Sequence, residues 1–170
     1  MKTIALRSGF LAHLAVLLVA LCGTAPAQTT SATSQTAPVS SAEAAIPAAD
    51  LLQPKDLEQL LRSSSAKRPV ILQVGSQVLY REAHIPGSEY AGAAGQEAGL
   101  QALQDRVKGL QRGAFIVIYC GCCPWNKCPN IRPAYRRLHA LGFTDVRALY
   151  LADNFGVDWV NKGYPVAQGR

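Results

Sequence analysis

The sequence lacks an apolar run long enough to cross a membrane, and it lacks a concentrated basic surface. Its longest apolar stretch, residues 9–21, is shorter than the roughly 20 residues that an ordinary spanning helix needs. The chain of 170 residues has a formal net charge of +6, but its basic residues are scattered along the sequence. A scattered positive charge argues against a nucleic acid as partner.

The first 27 residues have the pattern of a secretory signal peptide. Lys2 and Arg7 form a basic start, the apolar stretch follows, and the Ala-Pro-Ala at residues 25–27 predicts cleavage after position 27. Removal of this segment lowers the formal charge to +4 and leaves no membrane span. We therefore expect a periplasmic or secreted protein. An uncleaved anchor and a lipidated Cys22 are the alternatives.

Residues 28–49 contain almost no large apolar side chains and almost no charge. Such a composition cannot bury enough apolar surface to fold, so we expect a flexible spacer rich in Ala, Ser, Thr and Pro. The remaining residues, 50–170, have the length of one small domain.

Helical and strand patterns alternate along this domain. The patterns predict helices over residues 56–61, 96–111 and 132–141 and strands over residues 69–74, 115–119 and 146–151. Alternation of this kind is typical of an α/β protein with a mainly parallel sheet flanked by helices. Because ligands of such sheets bind at the carboxyl ends of the strands, we expect the reactive side chains there.

Four of the five cysteines stand in one segment directly after the strand predicted at 115–119. They are Cys120, Cys122, Cys123 and Cys128. A cysteine between a strand end and the start of a helix meets backbone N–H groups and the positive end of the helix dipole, and both favour a thiolate. The sequence therefore predicts sulfur chemistry in this loop.

Several separated segments resemble the rhodanese-like domain family in their order and spacing. They are residues 71–74, His84-Ile85-Pro86-Gly87, residues 116–120, Leu141-Gly142-Phe143, residues 156–159 and Gly163-Tyr164-Pro165-Val166. The resemblance implies a single rhodanese-like α/β domain that moves sulfane sulfur through a cysteine persulfide. It also implies a small anionic sulfur donor, a thiol acceptor and no cofactor.

The resemblance places the nucleophile at Cys120, although the long loop leaves Cys122 and Cys123 as alternatives. We expect no resident metal, and we expect a structural role for His84. The residues expected to contact substrate are Gly121, Cys122, Cys123, Lys127 and Arg132. Those expected to form a disulfide or to act as resolving thiols are Cys122, Cys123 and Cys128, and a bridge from Cys122 or Cys123 to Cys128 closes a comfortable loop.

The chain departs from the family pattern in its first strand and in its loop. The usual Asp-Val-Arg is Gln73-Val74-Gly75, and the loop between Cys120 and Gly142 is longer than usual. Two other functions therefore stay open. One is a non-catalytic binding module whose loop is stapled by disulfides. The other is a periplasmic metal-thiolate carrier, because closely spaced thiolates select Cu(I) or an iron–sulfur cluster.

Other cysteine chemistries fit the loop less well. A phosphatase with the Cys-x5-Arg motif needs an arginine six residues after its nucleophile, and Asn126 stands there. Consecutive cysteines are spaced as Cys-x-Cys, Cys-Cys and Cys-x4-Cys, which argues against a thioredoxin-type pair.

Overall fold

Five short parallel strands form the centre of the computed structural model, which describes residues 45–64 and 67–169. The strands are β1 (Leu51–Leu52), β2 (Val70–Gln73), β3 (Glu89–Tyr90), β4 (Phe115–Tyr119) and β5 (Asp145–Leu149). Their order across the sheet is β1-β5-β4-β2-β3, and every pairing is parallel. The predicted α/β class is confirmed, and β4 lies in the middle of the sheet.

Five helices connect and cover these strands. They are α1 (Pro54–Arg62), α2 (Gln77–Glu82), α3 (Glu97–Val107), α4 (Ile131–Ala140) and α5 (Phe155–Asp158). Short 3-10 helices span Ala48–Asp50, Trp125–Lys127 and Val160–Lys162.

The side chains of β4 alternate between two buried clusters. Ile116 and Ile118 belong to a cluster that includes residues of α3 and α4. Val117 and Tyr119 belong to a second cluster, which includes Trp159, a side chain with no exposed surface. Because both faces of the strand are buried, its sequence is continuously apolar rather than alternating.

The element boundaries agree with the sequence patterns with one clear exception. The helix predicted over residues 96–111 ends at Val107 instead. Gly109 follows two positions later, and glycine has a low helix propensity, which is consistent with the earlier end. The strand predicted over residues 115–119 matches β4 at both ends.

The predicted signal peptide and most of the predicted spacer lie outside the described residues, which begin at residue 45. From there, Ile46 already packs against the core. Within the described part of the chain, we find no helix with both the length and the apolar character that crossing a membrane requires.

Candidate functional site: four cysteines at the end of the central strand

Cys120 follows β4 directly and lies at the ligand-binding edge of the sheet, with 5% of its surface exposed. Gly75 leaves room for its sulfur, since a Cβ at position 75 would lie 2.7 Å from Cys120 Sγ. The buried amide of Gln73 donates from Nε2 to the Cys120 carbonyl oxygen (3.2 Å) and accepts the Gly75 N–H at Oε1 (3.1 Å). The ends of β2 and β4 are therefore tied together around the sulfur atom.

Gly121 turns the chain sharply after Cys120. Its φ is +74°, a conformation that side chains with a Cβ rarely adopt. A Cβ here would also lie 2.6 Å from Phe155 Cβ, and the Gly121 carbonyl accepts the Phe155 N–H (3.0 Å). The loop is thus packed tightly against the start of α5.

The four thiol groups of the loop lie close together next to the Gly121 turn. Cys122 Sγ lies 3.1 Å from Cys120 Sγ and 3.3 Å from Cys123 Sγ. The sulfur atoms of Cys120, Cys122 and Cys128 all lie within 4.8 Å of one another. All four cysteines of the described residues are free thiols, so the predicted bridge from Cys122 or Cys123 to Cys128 is not found in the structure.

Asn130 connects this sulfur cluster to a distant loop. Its buried side chain donates from Nδ2 to Cys120 Sγ (3.3 Å) and, at a longer distance, to Cys122 Sγ (3.9 Å). Its Oδ1 accepts the Gly95 N–H (2.7 Å). Asn130 is the N-cap residue of α4 but makes no side-chain capping bond, because its amide is directed to the sulfur atoms and to Gly95.

Cys120 and Cys128 share a proton unequally. The hydrogen bond to Cys128, followed by burial, raises the pKa of Cys120. The hydrogen bond from the Cys120 thiol lowers the pKa of Cys128 to about 6, and the backbone N–H groups of Asn130 and Ile131 at the start of α4 act in the same direction against burial. Of these two thiols, Cys128 is therefore the more acidic and Cys120 the less acidic.

A cavity of about 330 Å³ opens onto Cys120 and Cys122. Residues from β2, α2 and α5 complete its walls, and Glu82 carries the only carboxylate among them. No lysine or arginine is among the lining residues. An anionic ligand in this cavity would therefore find no cationic side chain to pair with.

The predicted substrate-contacting residues fall on different sides of the loop. Gly121 and Cys122 line the cavity with Cys120, whereas Lys127 and Arg132 are not among its lining residues. Lys127 lines a separate surface depression beside Trp125. Cys123 lines a separate and very small pocket instead, and burial raises its pKa to about 12.

Cys120 and Cys123 have two residues between them, so the chain does contain one Cys-x-x-Cys pair, although these two cysteines are not consecutive ones. In the structure α4 begins only at Ile131, eight positions after Cys123. The pair therefore does not open a helix as a thioredoxin-type pair does.

His84 has the structural role that we expected. Its Nδ1 is 2.7 Å from the Tyr80 carbonyl oxygen, and its ring stacks on the Tyr80 ring. Its backbone pairs with Ala167 in an isolated antiparallel bridge. The His-Ile-Pro-Gly turn thus fastens the carboxyl-terminal segment to α2.

Residues 5–144 match a family model described as a protein of unknown function, DUF2477. The chain belongs to this family. No curated protein matches the chain.

Solved structures with a similar fold include a rhodanese-like domain. The rhodanese-like domain of the Alr3790 protein from Anabaena sp. has a TM-score of 0.54 and 20% sequence identity, over 70% of this chain and 79% of that one. The BH2092 protein from Bacillus halodurans also has a TM-score of 0.54 and 20% identity, over 69% of this chain and 75% of that one. At these identities the likeness shows the fold alone, and the predicted rhodanese-like α/β fold is confirmed.

Proposed function

We propose that this DUF2477 protein is an exported sulfurtransferase that carries sulfane sulfur as a persulfide on Cys120. The observation that supports this function best is the position of Cys120 Sγ. It lies at the carboxyl end of the central parallel strand, at the base of an open cavity, where α/β proteins bind their ligands. The export part of the proposal depends on the signal-peptide pattern of residues 1–27.

The reaction has two displacement steps. The Cys120 sulfur attacks the terminal sulfur of a donor persulfide, the donor S–S bond breaks, and the donor leaves as a thiolate. A new S–S bond then holds the transferred sulfur on Cys120. In the second step an acceptor thiolate attacks this terminal sulfur, and Cys120 leaves as a thiolate. One S–S bond breaks and one forms in each step, so no external oxidant or reductant is consumed.

Cys128 and Asn130 support these steps. Cys128 lies within 4.8 Å of Cys120 and, as the thiolate of the pair, accepts the Cys120 proton when Cys120 attacks. The Asn130 amide already donates to Cys120 Sγ, so it holds the nucleophile in place and stabilises its negative charge when it leaves.

The cavity favours a donor of low charge. Glu82 lines it and no lysine or arginine does, so the double negative charge of thiosulfate meets repulsion without compensation. A small persulfide carries one negative charge and presents its sulfur at the end of a thiol. We therefore propose a low-molecular-weight persulfide as donor and a small thiol as acceptor.

Sulfur transfer to a thiol acceptor, measured with the reduced chain lacking residues 1–27, tests this function. We expect turnover with a persulfide donor, little with thiosulfate, and no turnover for Cys120→Ser. The matched control is Cys123→Ser, since Cys123 does not line the cavity, and it should keep turnover. Equal turnover of Cys120→Ser and the unmutated chain would refute Cys120 as carrier. No transfer by the folded, reduced chain from either donor would leave a non-catalytic binding module.

A further inference from the structure

Two separate parts of the loop bring three cysteine sulfur atoms close together. Cys120 and Cys122 flank the Gly121 turn, and Cys128 comes from the residues that lead into α4. Their Sγ atoms lie within 4.8 Å of one another, and the closest pair is 3.1 Å apart. Thiolates bound to one metal ion at about 2.3 Å lie roughly 4 Å from each other. No separation in the cluster exceeds that value by more than about 0.8 Å, so the three sulfur atoms are close enough to share one ion.

The donor set of this cluster is soft and limited to three atoms. Among the residues that the structure describes, no histidine nitrogen and no carboxylate oxygen belongs to the cluster. Cys123 lies 3.3 Å from Cys122 but is not within the same group of sulfur atoms. Structural zinc sites and iron–sulfur clusters usually take four protein ligands, whereas Cu(I) is a soft ion that thiolates bind well, so three thiolates suit it better.

The surroundings suit a cation better than an anion. The cavity leading to Cys120 and Cys122 contains the Glu82 carboxylate and no cationic side chain among its lining residues. Asn130 donates its amide to the sulfur atoms from the protein side. Such an outer hydrogen bond orients metal ligands and compensates the charge of thiolates.

We propose that Cys120, Cys122 and Cys128 bind one cuprous ion, Cu(I), which enters through the cavity lined by Glu82. Each ligand sulfur that carries a proton before binding gives it up to water, and the copper and sulfur atoms keep their oxidation states. The copper site takes a different ligand from the sulfur-transfer site but shares Cys120 and Cys128 with it. An ion bound to Cys120 therefore blocks sulfur loading.

Anaerobic titration of the reduced chain with Cu(I), against a chromogenic Cu(I) chelator as competitor, tests this site. We expect one ion per chain. Cys122→Ser and Cys128→Ser should each weaken binding by more than the roughly 10–100-fold that loss of an outer hydrogen-bond partner costs. Cys123→Ser is the matched control and should leave the affinity within a few-fold of the original. X-ray absorption should show sulfur neighbours only, at about 2.3 Å.

Three results would overturn the proposal. They are no competition with the chelator, an equal loss of affinity in Cys123→Ser, or full displacement of Cu(I) by an equivalent of Zn(II). Circular dichroism of each variant shows whether weaker binding comes from a lost ligand or from a lost fold. Cys122 is half-buried, so Cys122→Ser is the substitution least expected to disturb the core. Failure of copper binding leaves the sulfur-transfer assay unaffected, because that assay is performed without metal.

Discussion

Replacing Gly75 with alanine should misplace the nucleophile while leaving the fold in place. The added Cβ would lie 2.7 Å from Cys120 Sγ, about 0.7 Å closer than the 3.4 Å at which ordinary contact begins. It would also lie 3.2 Å from Gln73 Nε2 and 3.3 Å from the Cys120 carbonyl oxygen. Gly75 has no positive φ, so the substitution acts through this contact rather than through backbone strain.

The size of the effect follows from that displacement. Inserting one methyl group into a packed site costs about 1–3 kcal/mol of unfolding free energy. Misplacing a reacting atom by about 1 Å can cost about 100-fold in rate, so we expect sulfur loading of Cys120 to slow by roughly 10–100-fold.

The assays are urea unfolding and single-turnover sulfur loading by a persulfide donor. Gly109→Ala is the matched control, because a Cβ at position 109 meets nothing within 4 Å, and we expect it to be neutral or slightly stabilising in unfolding and unchanged in loading. Unaltered loading in Gly75→Ala, with the sulfur still on Cys120, would refute the proposed position of the nucleophile.

Three further predictions follow from the loop. Gly121→Ala combines an unfavourable φ with a close contact, so it should lower the free energy of unfolding in urea by about 2–5 kcal/mol. In the control Gly163→Ala, φ is also +74° but nothing lies within 4 Å of the added Cβ, so the loss should be only about 1–2 kcal/mol. Equal losses in the two variants would contradict the packing argument. Because the pKa of Cys128 is lowered to about 6, ultraviolet thiolate absorbance should be present at neutral pH and should disappear as the pH falls through about 6. Cys128→Ser should remove this pH-dependent change in absorbance. If the change persists in Cys128→Ser, the thiolate belongs to another cysteine. Asn130→Ala removes the hydrogen bond to the Gly95 N–H and should lower the free energy of unfolding by about 1–3 kcal/mol, measured by heat or urea. Asn126 is exposed, so the control Asn126→Ala should have almost no effect on stability. An equally small effect of Asn130→Ala would show that stability does not require the buried amide.

The fold could be predicted wherever a segment had a long pattern. Strand β4 is buried on both faces, so its sequence is one continuous apolar run, and the run correctly predicts where the strand begins and ends. The strands β1 and β3 have two residues each, too few to show any period. Helix α2 has only Tyr80 buried, while Val78 and Leu79 are exposed, so its apolar residues do not form the inward stripe by which helices are recognised.

The candidate site could be predicted only in its local part. The position of Cys120 followed from its place after a strand. The roles of Gly75 and Asn130 did not, because they depend on contacts with residues far away in the sequence, Cys120 and Gly95 respectively. Proximity in sequence was also misleading, since Lys127 stands next to Cys128 but lines a different depression.

The most direct test of sulfur transfer is the mass of the reduced chain after one exposure to a persulfide donor, followed by peptide mapping. The account predicts one added sulfur atom on Cys120, which cyanide or a small thiol removes. An unlabelled Cys120, or sulfur carried stably by Cys123 instead, would contradict it.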